Sequence, residues 1–158
     1  MLVRALPFLL LAAPAVAQDA IEADCLAIVA KLGGKAETSA KLDPAARVVA
    51  HFPAPTDATF LAVGKLPAVG ELEVDDASKV TERGSRGLRE LPNLQRVTLS
   101  KSGATDRVLA ALALHPHLES LYAGDPKATD AGLAAFKDAK ALRLLDLNAG
   151  RFTDRGLA

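Results

Sequence analysis

The sequence offers almost no aromatic surface and no excess of either charge. Tryptophan is absent, tyrosine occurs once, and aromatic residues make up 4% of the 158. Few rings are available for nucleic-acid bases to stack on. Nor do 19 basic and 19 acidic side chains, with a formal charge of zero, give the basic footprint that a phosphate backbone requires. Nucleic acid is therefore not the expected partner. A single cysteine cannot form an internal disulfide, and one thiol with three histidines does not furnish a structural zinc set. No Gly-rich phosphate loop, Gly-x-Ser-x-Gly elbow or Cys-x-x-Cys pair occurs. Because no nucleophile, base and orienter can be placed together, the expectation is a protein that is not an enzyme and uses no cofactor. What is present, 50% hydrophobic and 24% charged residues, is the composition of one ordinary folded domain.

The first segment reads as an address. Met1-Leu2-Val3-Arg4 carries one positive charge, Ala5 to Ala13 is apolar, and Pro14 precedes the small residues Ala15-Val16-Ala17. This tripartite form is that of a secretory signal peptide over residues 1–17, with cleavage expected after Ala17. A spanning helix needs about 20 apolar residues, and Gln18-Asp19 interrupts the run too early. An uncleaved N-terminal anchor is the alternative. The expected location is periplasmic or extracellular, which makes Cys25 an odd thiol in an oxidising compartment. Its neighbours Ile21, Ala27, Ile28 and Val29 favour burial, since a free cysteine packs like a small hydrophobe.

The rest of the chain is periodic. Thr-Asp pairs occur at Thr56-Asp57, Thr105-Asp106, Thr129-Asp130 and Thr153-Asp154, with Thr81-Glu82 filling the gap, in steps of 25, 24, 24 and 24 residues. A second marker, Val48, Leu72, Val97, Leu121 and Leu145, keeps that spacing, each followed two residues later by Ala50, Val74, Leu99, Ala123 and Leu147. The alternation at Val97 and Leu99 predicts a short strand with those side chains on one face. After each Thr-Asp pair the apolar spacing turns helical, as in Leu109-Leu112 and Leu133-Phe136. The threonine is a good N-cap, and the acid beside it suits the positive end of the helix dipole. Pro92 and Pro116 mark where helices have stopped. One such unit buries too little apolar surface to offset the ordering of its backbone, so the units must stack, with a parallel sheet on one side and helices on the other.

The units Leu94-Gln95-Arg96-Val97-Thr98-Leu99 through Thr105-Asp106, and Leu142-Arg143-Leu144-Leu145-Asp146-Leu147-Asn148 through Thr153-Asp154-Arg155-Gly156-Leu157, resemble leucine-rich repeats. The Thr-Asp-x-Gly-Leu ending is similar to that of cysteine-containing, F-box-type repeats and of bacterial exported repeat proteins. The resemblance covers residues 45–158 and departs at Ala123, where leucine is usual, and at Pro53 and Ser102, where a turn asparagine is usual; Asn148 keeps it. It implies an α/β solenoid of about five repeats, the last incomplete, with the sheet on the concave face. No F-box precedes the repeats. Residues 18–44 resemble the helical N-terminal cap of such proteins, with Ile21, Leu26, Val29 and Leu32 inward and Gly33 ending the helix.

The resemblance implies partner binding through the sheet face. Strand alternation lists its exposed rows as Arg47-Glu71-Arg96-Ser120-Leu144, Val49-Glu73-Thr98-Tyr122-Asp146 and His51-Asp75-Ser100-Gly124-Asn148. In one reading Arg47, Glu71 and Arg96 are lateral ion pairs that keep the face soluble. In the other, Tyr122 and Leu144 form an apolar centre edged by Arg96, Glu73 and Asp146, and the partner-binding set is Glu71, Glu73, Arg96, Thr98, Tyr122, Leu144 and Asp146. His115-Pro116-His117 reads as a solvated turn rather than a metal pair with His51. Recurrence of a threonine followed by an acid in every unit marks the pair as a structural cap, because a catalytic group is needed only once. The sequence stops at Gly156-Leu157-Ala158 without a polar capping repeat, so an open C-terminal edge is expected to self-associate or to meet another chain.

Overall fold

The computed structural model describes residues 15–102, 104–124, 127–148 and 151–157. The apolar opening segment, apart from its last three residues, lies outside them. The first element is helix α1, Ala15–Lys31, which buries Cys25 and Val29 and leaves Ile21, Leu26 and Leu32 partly buried against the core. It ends at Gly33, whose φ of +82° is the left-handed conformation that glycine takes without penalty. There the Gly34 N–H reaches the Val29 carbonyl at 3.0 Å and the Gly33 N–H the Ala30 carbonyl at 3.1 Å, closing the helix as a Schellman turn.

The cap is not helical throughout. Strand β1, Lys35–Thr38, pairs antiparallel with strand β2, Val48–Phe52. The polar Lys35-Ala36-Glu37-Thr38 carries no apolar alternation, and it joins the sheet through its backbone. The Arg47 guanidinium lies 2.9 Å from the mostly buried carboxylate of Glu22, which ties α1 to the start of the sheet.

Strands and helices then alternate. After β2 come α2 (Asp57–Val63), β3 (Val69–Val74), α3 (Glu82–Glu90), β4 (Arg96–Leu99), α4 (Asp106–Ala113), β5 (Ser120–Ala123), α5 (Asp130–Ala134) and β6 (Leu144–Asp146). A 3₁₀ turn at Ala135–Asp138 extends α5, and another spans Asp154–Leu157. The strands of the described residues form one six-stranded sheet in chain order, parallel from β2 to β6. Each helix thus returns the chain to the strand next door. The inward residues Leu72 and Val74, Val97 and Leu99, Leu121 and Ala123 are buried, and all but Ala123 share one core cluster with Phe60, Leu88, Leu109 and Leu112 from the helices. Helices α3 and α4 end before Pro92 and Pro116, as the sequence predicts.

The first unit departs from the expected register. Val49, not Arg47, stands opposite Glu71, and Ala50 and Phe52 oppose Leu72 and Val74, because the pairing shifts between Val48 and Val49. Phe52 is 1% exposed and supplies a bulky inward side chain that the repeat pattern passes over. Arg47 lies outside the ladder and pairs with Glu22, so the expected Arg47–Glu71 contact is replaced.

A threonine precedes each of α2 to α5 as expected, and its hydroxyl caps α3 and α5. The Thr81 hydroxyl accepts from Arg83 N–H at 3.2 Å and that of Thr129 from Ala131 N–H at 3.3 Å, whereas Thr105 caps α4 through its extended backbone alone. The aspartates do more than face a helix dipole. Asp57 accepts from the N–H and hydroxyl of Thr81 at 2.7 and 2.6 Å, and Asp130 from those of Thr153 at 2.7 and 2.5 Å, joining successive units. At the other corner Ser102, at an expected asparagine position, is buried and donates its hydroxyl to the Gly124 carbonyl at 3.0 Å.

Candidate functional site

The outward sheet face is set by the same alternation that fills the core. Its rows run Val49-Glu71-Arg96-Ser120-Leu144 and His51-Glu73-Thr98-Tyr122-Asp146. All seven residues singled out from the sequence, Glu71, Glu73, Arg96, Thr98, Tyr122, Leu144 and Asp146, lie in these rows. Val49 and His51 join them because of the shifted first unit.

The face has two ends of different character. At the β2–β3 end, His51 Nε2 lies 2.9 Å from Asp75 Oδ2, and Lys35, Glu37, Val49, His51 and Glu73 line a shallow hollow of about 200 Å³. Burial pushes the Glu71 carboxyl above its ordinary value, against the Arg96 charge 3.8 Å away. At the β5–β6 end, Leu144 is 57% exposed beside Ser120, diagonal to the half-buried Tyr122. The Tyr122 hydroxyl extends along the strand toward Gly124. Thr98 and Asp146 flank the tyrosine directly and Arg96 stands diagonal to it on β4, drawn toward Glu71, whereas Glu73 lies a strand further away on β3. Of the charges expected around the apolar pair, Arg96 and Asp146 therefore border Tyr122 and Glu73 does not.

The histidines occupy separate environments. His51 is on the sheet face and His117 is exposed in the turn before β5. His115 is not solvated as the sequence implied: it is 6% exposed, beneath the α4–β5 turn. Burial pushes its pKa down, against a hydrogen bond to the Leu88 carbonyl that favours the protonated ring, and its Nε2 has no hydrogen-bond partner among the described residues. The Cys25 thiol is buried, and desolvation raises its pKa. Among the described residues no three His, Cys, Asp or Glu stand together as a metal-binding group, and no helix is long and apolar enough to cross a membrane. Comparison with known protein families, with curated proteins and with solved structures returns no match.

Proposed function

We propose that this chain is an exported leucine-rich repeat solenoid that binds a protein partner, without catalysis, through the concave face of its sheet. The observation that carries this reading is Leu144, 57% exposed and diagonal to Tyr122 on a face whose other side chains, Val49 apart, are polar or charged. An exposed leucine and a tyrosine held rigidly by a strand, with polar residues around them, have the composition of an interface hot spot. The solenoid reading is supported by the spacing of about 24 residues, one strand and one helix per unit, and neighbours paired in chain order. The first segment supports export.

The test is affinity capture from a cell-envelope extract with the chain as bait, beside Tyr122→Asp and Leu144→Asp variants shown by circular dichroism to be folded. A protein held by the unmodified bait and released by both variants supports the reading; equal retention by all three overturns it.

A second reading, self-association at the β6 end, draws on Leu142, Leu145, Leu147 and Phe152, which pack on the core yet stay only partly buried. It predicts concentration-dependent sedimentation that Leu147→Asp abolishes and Tyr122→Asp leaves intact.

A further inference from the structure

We propose that the helix side carries a second docking site, a basic groove between α3 and α4 that takes an acidic segment of a partner protein with an apolar anchor. The groove, of about 500 Å³, is lined by Arg86 and Arg89 of α3 and Arg107 of α4, together with Glu82, Ala110, Ala111 and Leu114. Its charge follows from how α3 packs. Gly84, Ser85, Gly87 and Leu88 are buried, so the arginines between them form an exposed ridge at three-residue spacing. Arg107 pairs with Glu82, whereas Arg86 and Arg89 make no ion pair among the described residues. Three guanidiniums thus face one carboxylate.

Each free guanidinium presents a planar fork that matches a carboxylate. The small alanines let a backbone approach closely. Leu114 is 69% exposed, the most exposed large hydrophobic among the described residues, and gives an apolar residue of the incoming segment something to cover. The shape and chemistry favour a peptide. A bilayer is flat and draws on more apolar insertion than one leucine offers, and a nucleic-acid strand draws on stacking rings that this groove lacks. The formal charge of zero conceals this cluster, because it sums over the whole chain while Arg86, Arg89 and Arg107 stand together at one groove.

The experiment uses the full chain and fluorescein-labelled peptides read by fluorescence anisotropy at low salt: glutamates around one leucine, the same peptide with serine for leucine, and a lysine counterpart. The leucine-containing acidic peptide is expected to bind best and the lysine peptide not at all. Arg86→Glu/Arg89→Glu is expected to weaken binding about tenfold or more. Arg86→Gln/Arg89→Gln weakens it in the same direction and guards against misfolding by charge reversal. Leu114→Ser removes the preference for leucine, and Lys31→Gln, at the exposed end of α1 and outside the groove, leaves the affinity unchanged. Unchanged affinity in the folded arginine variants overturns the proposal. So does capture by phosphatidylglycerol vesicles without peptide binding, which makes the ligand a lipid surface. Self-association lost with the same arginines, again without peptide binding, makes it a second copy of the chain and likewise overturns the proposal.

Discussion

Asp106 holds Thr129 of the next unit at two points, accepting from its backbone N–H at 2.7 Å and its hydroxyl at 3.0 Å, and a third bond at 3.0 Å comes from Gly132 N–H. The aspartate of one Thr-Asp pair thus clamps the helix start of the following pair. The carboxylate lies where a side chain at the third position after the threonine would begin: a Cβ at Gly84, Gly132 or Gly156 would come within 2.5, 2.6 or 2.7 Å of Asp57, Asp106 or Asp130. Where the preceding acid is Glu82, its longer arm turns to Arg107 instead, and the third position holds Val108. Glycine follows aspartate and valine follows glutamate because only the aspartate carboxylate occupies that space.

This clamp predicts a specific coupling. Gly132→Ala is expected to destabilise the chain by about 1–3 kcal/mol, through a clash and the loss of carboxylate bonds. In an Asp106→Ala background the same change is expected to cost much less, since alanine is otherwise the better helix former by about 1 kcal/mol. Urea unfolding of the four proteins in the cycle measures the coupling. Additive effects would show that the carboxylate and the glycine are independent.

Acid should loosen the stack at the same points. Burial alone would raise the Asp57 pKa, but the Thr81 hydroxyl and N–H, the Gly84 N–H and the Arg83 charge hold it below the ordinary 3.8. The Thr129 N–H, with the Thr129 hydroxyl and the Gly132 N–H, does the same for Asp106 against its own desolvation. With folded pKa values below unfolded ones, the unfolded chain takes up protons first as pH falls. The stabilisation is complete above about pH 4 and is lost as pH drops through the folded values. Stability of Asp57→Asn/Asp106→Asn, measured by urea titration, should be lower near neutrality and flatter below about pH 4.

Much of this architecture was legible in the sequence, for physical reasons that also define the misses. Leu72, Val97, Leu99 and Leu121 announced themselves because a strand buried on one face must alternate, and the Thr-Asp pairs because every helix needs a cap. Register in the first unit failed because Phe52 fills the inward place and the ladder slips at Val48, an event of packing that spacing cannot carry. Strand β1 left no trace, its pairing being made by backbone groups common to all residues. His115 looked like a turn residue beside Pro116, yet the stacking of units covers it. The clamp did leave a signal, the glycine that follows aspartate but not glutamate, which becomes readable once the units are known to touch at that corner. The seven face residues follow from alternation alone, whereas the arginine groove depends on which side of α3 is buried.

His115 supplies a second pH dependence, in a higher range. Its folded pKa lies below the ordinary 6.5 because burial disfavours the imidazolium. The unfolded chain therefore binds a proton that the folded chain refuses, and stability is complete above about pH 6.5 and declines as pH falls below it. His115→Gln keeps a donor for the Leu88 carbonyl and removes the titration. The stability difference between the two proteins should shift toward the variant between about pH 7 and pH 5; a difference constant over that window would place His115 in solvent.

Adjacent positions on one strand should respond in opposite ways to the same substitution. Leu121 is 0% exposed, at the centre of the packing between sheet and helices, while Tyr122 points to the other side of β5 and is half-buried. An aspartate at 121 buries an unpaired charge with no donor placed to receive it, and the cost should exceed about 4 kcal/mol, a large part of the stability of a domain this size. At 122 the same carboxylate remains hydrated beside Thr98, and Leu121 and Ala123 keep their places in the core, so the loss should be about 1 kcal/mol or less. Thermal unfolding followed by circular dichroism compares the two directly. Because a slip of one residue exchanges the two faces of a strand, a folded Leu121→Asp beside an unfolded Tyr122→Asp would turn the sheet inside out and with it every residue assigned to the binding face.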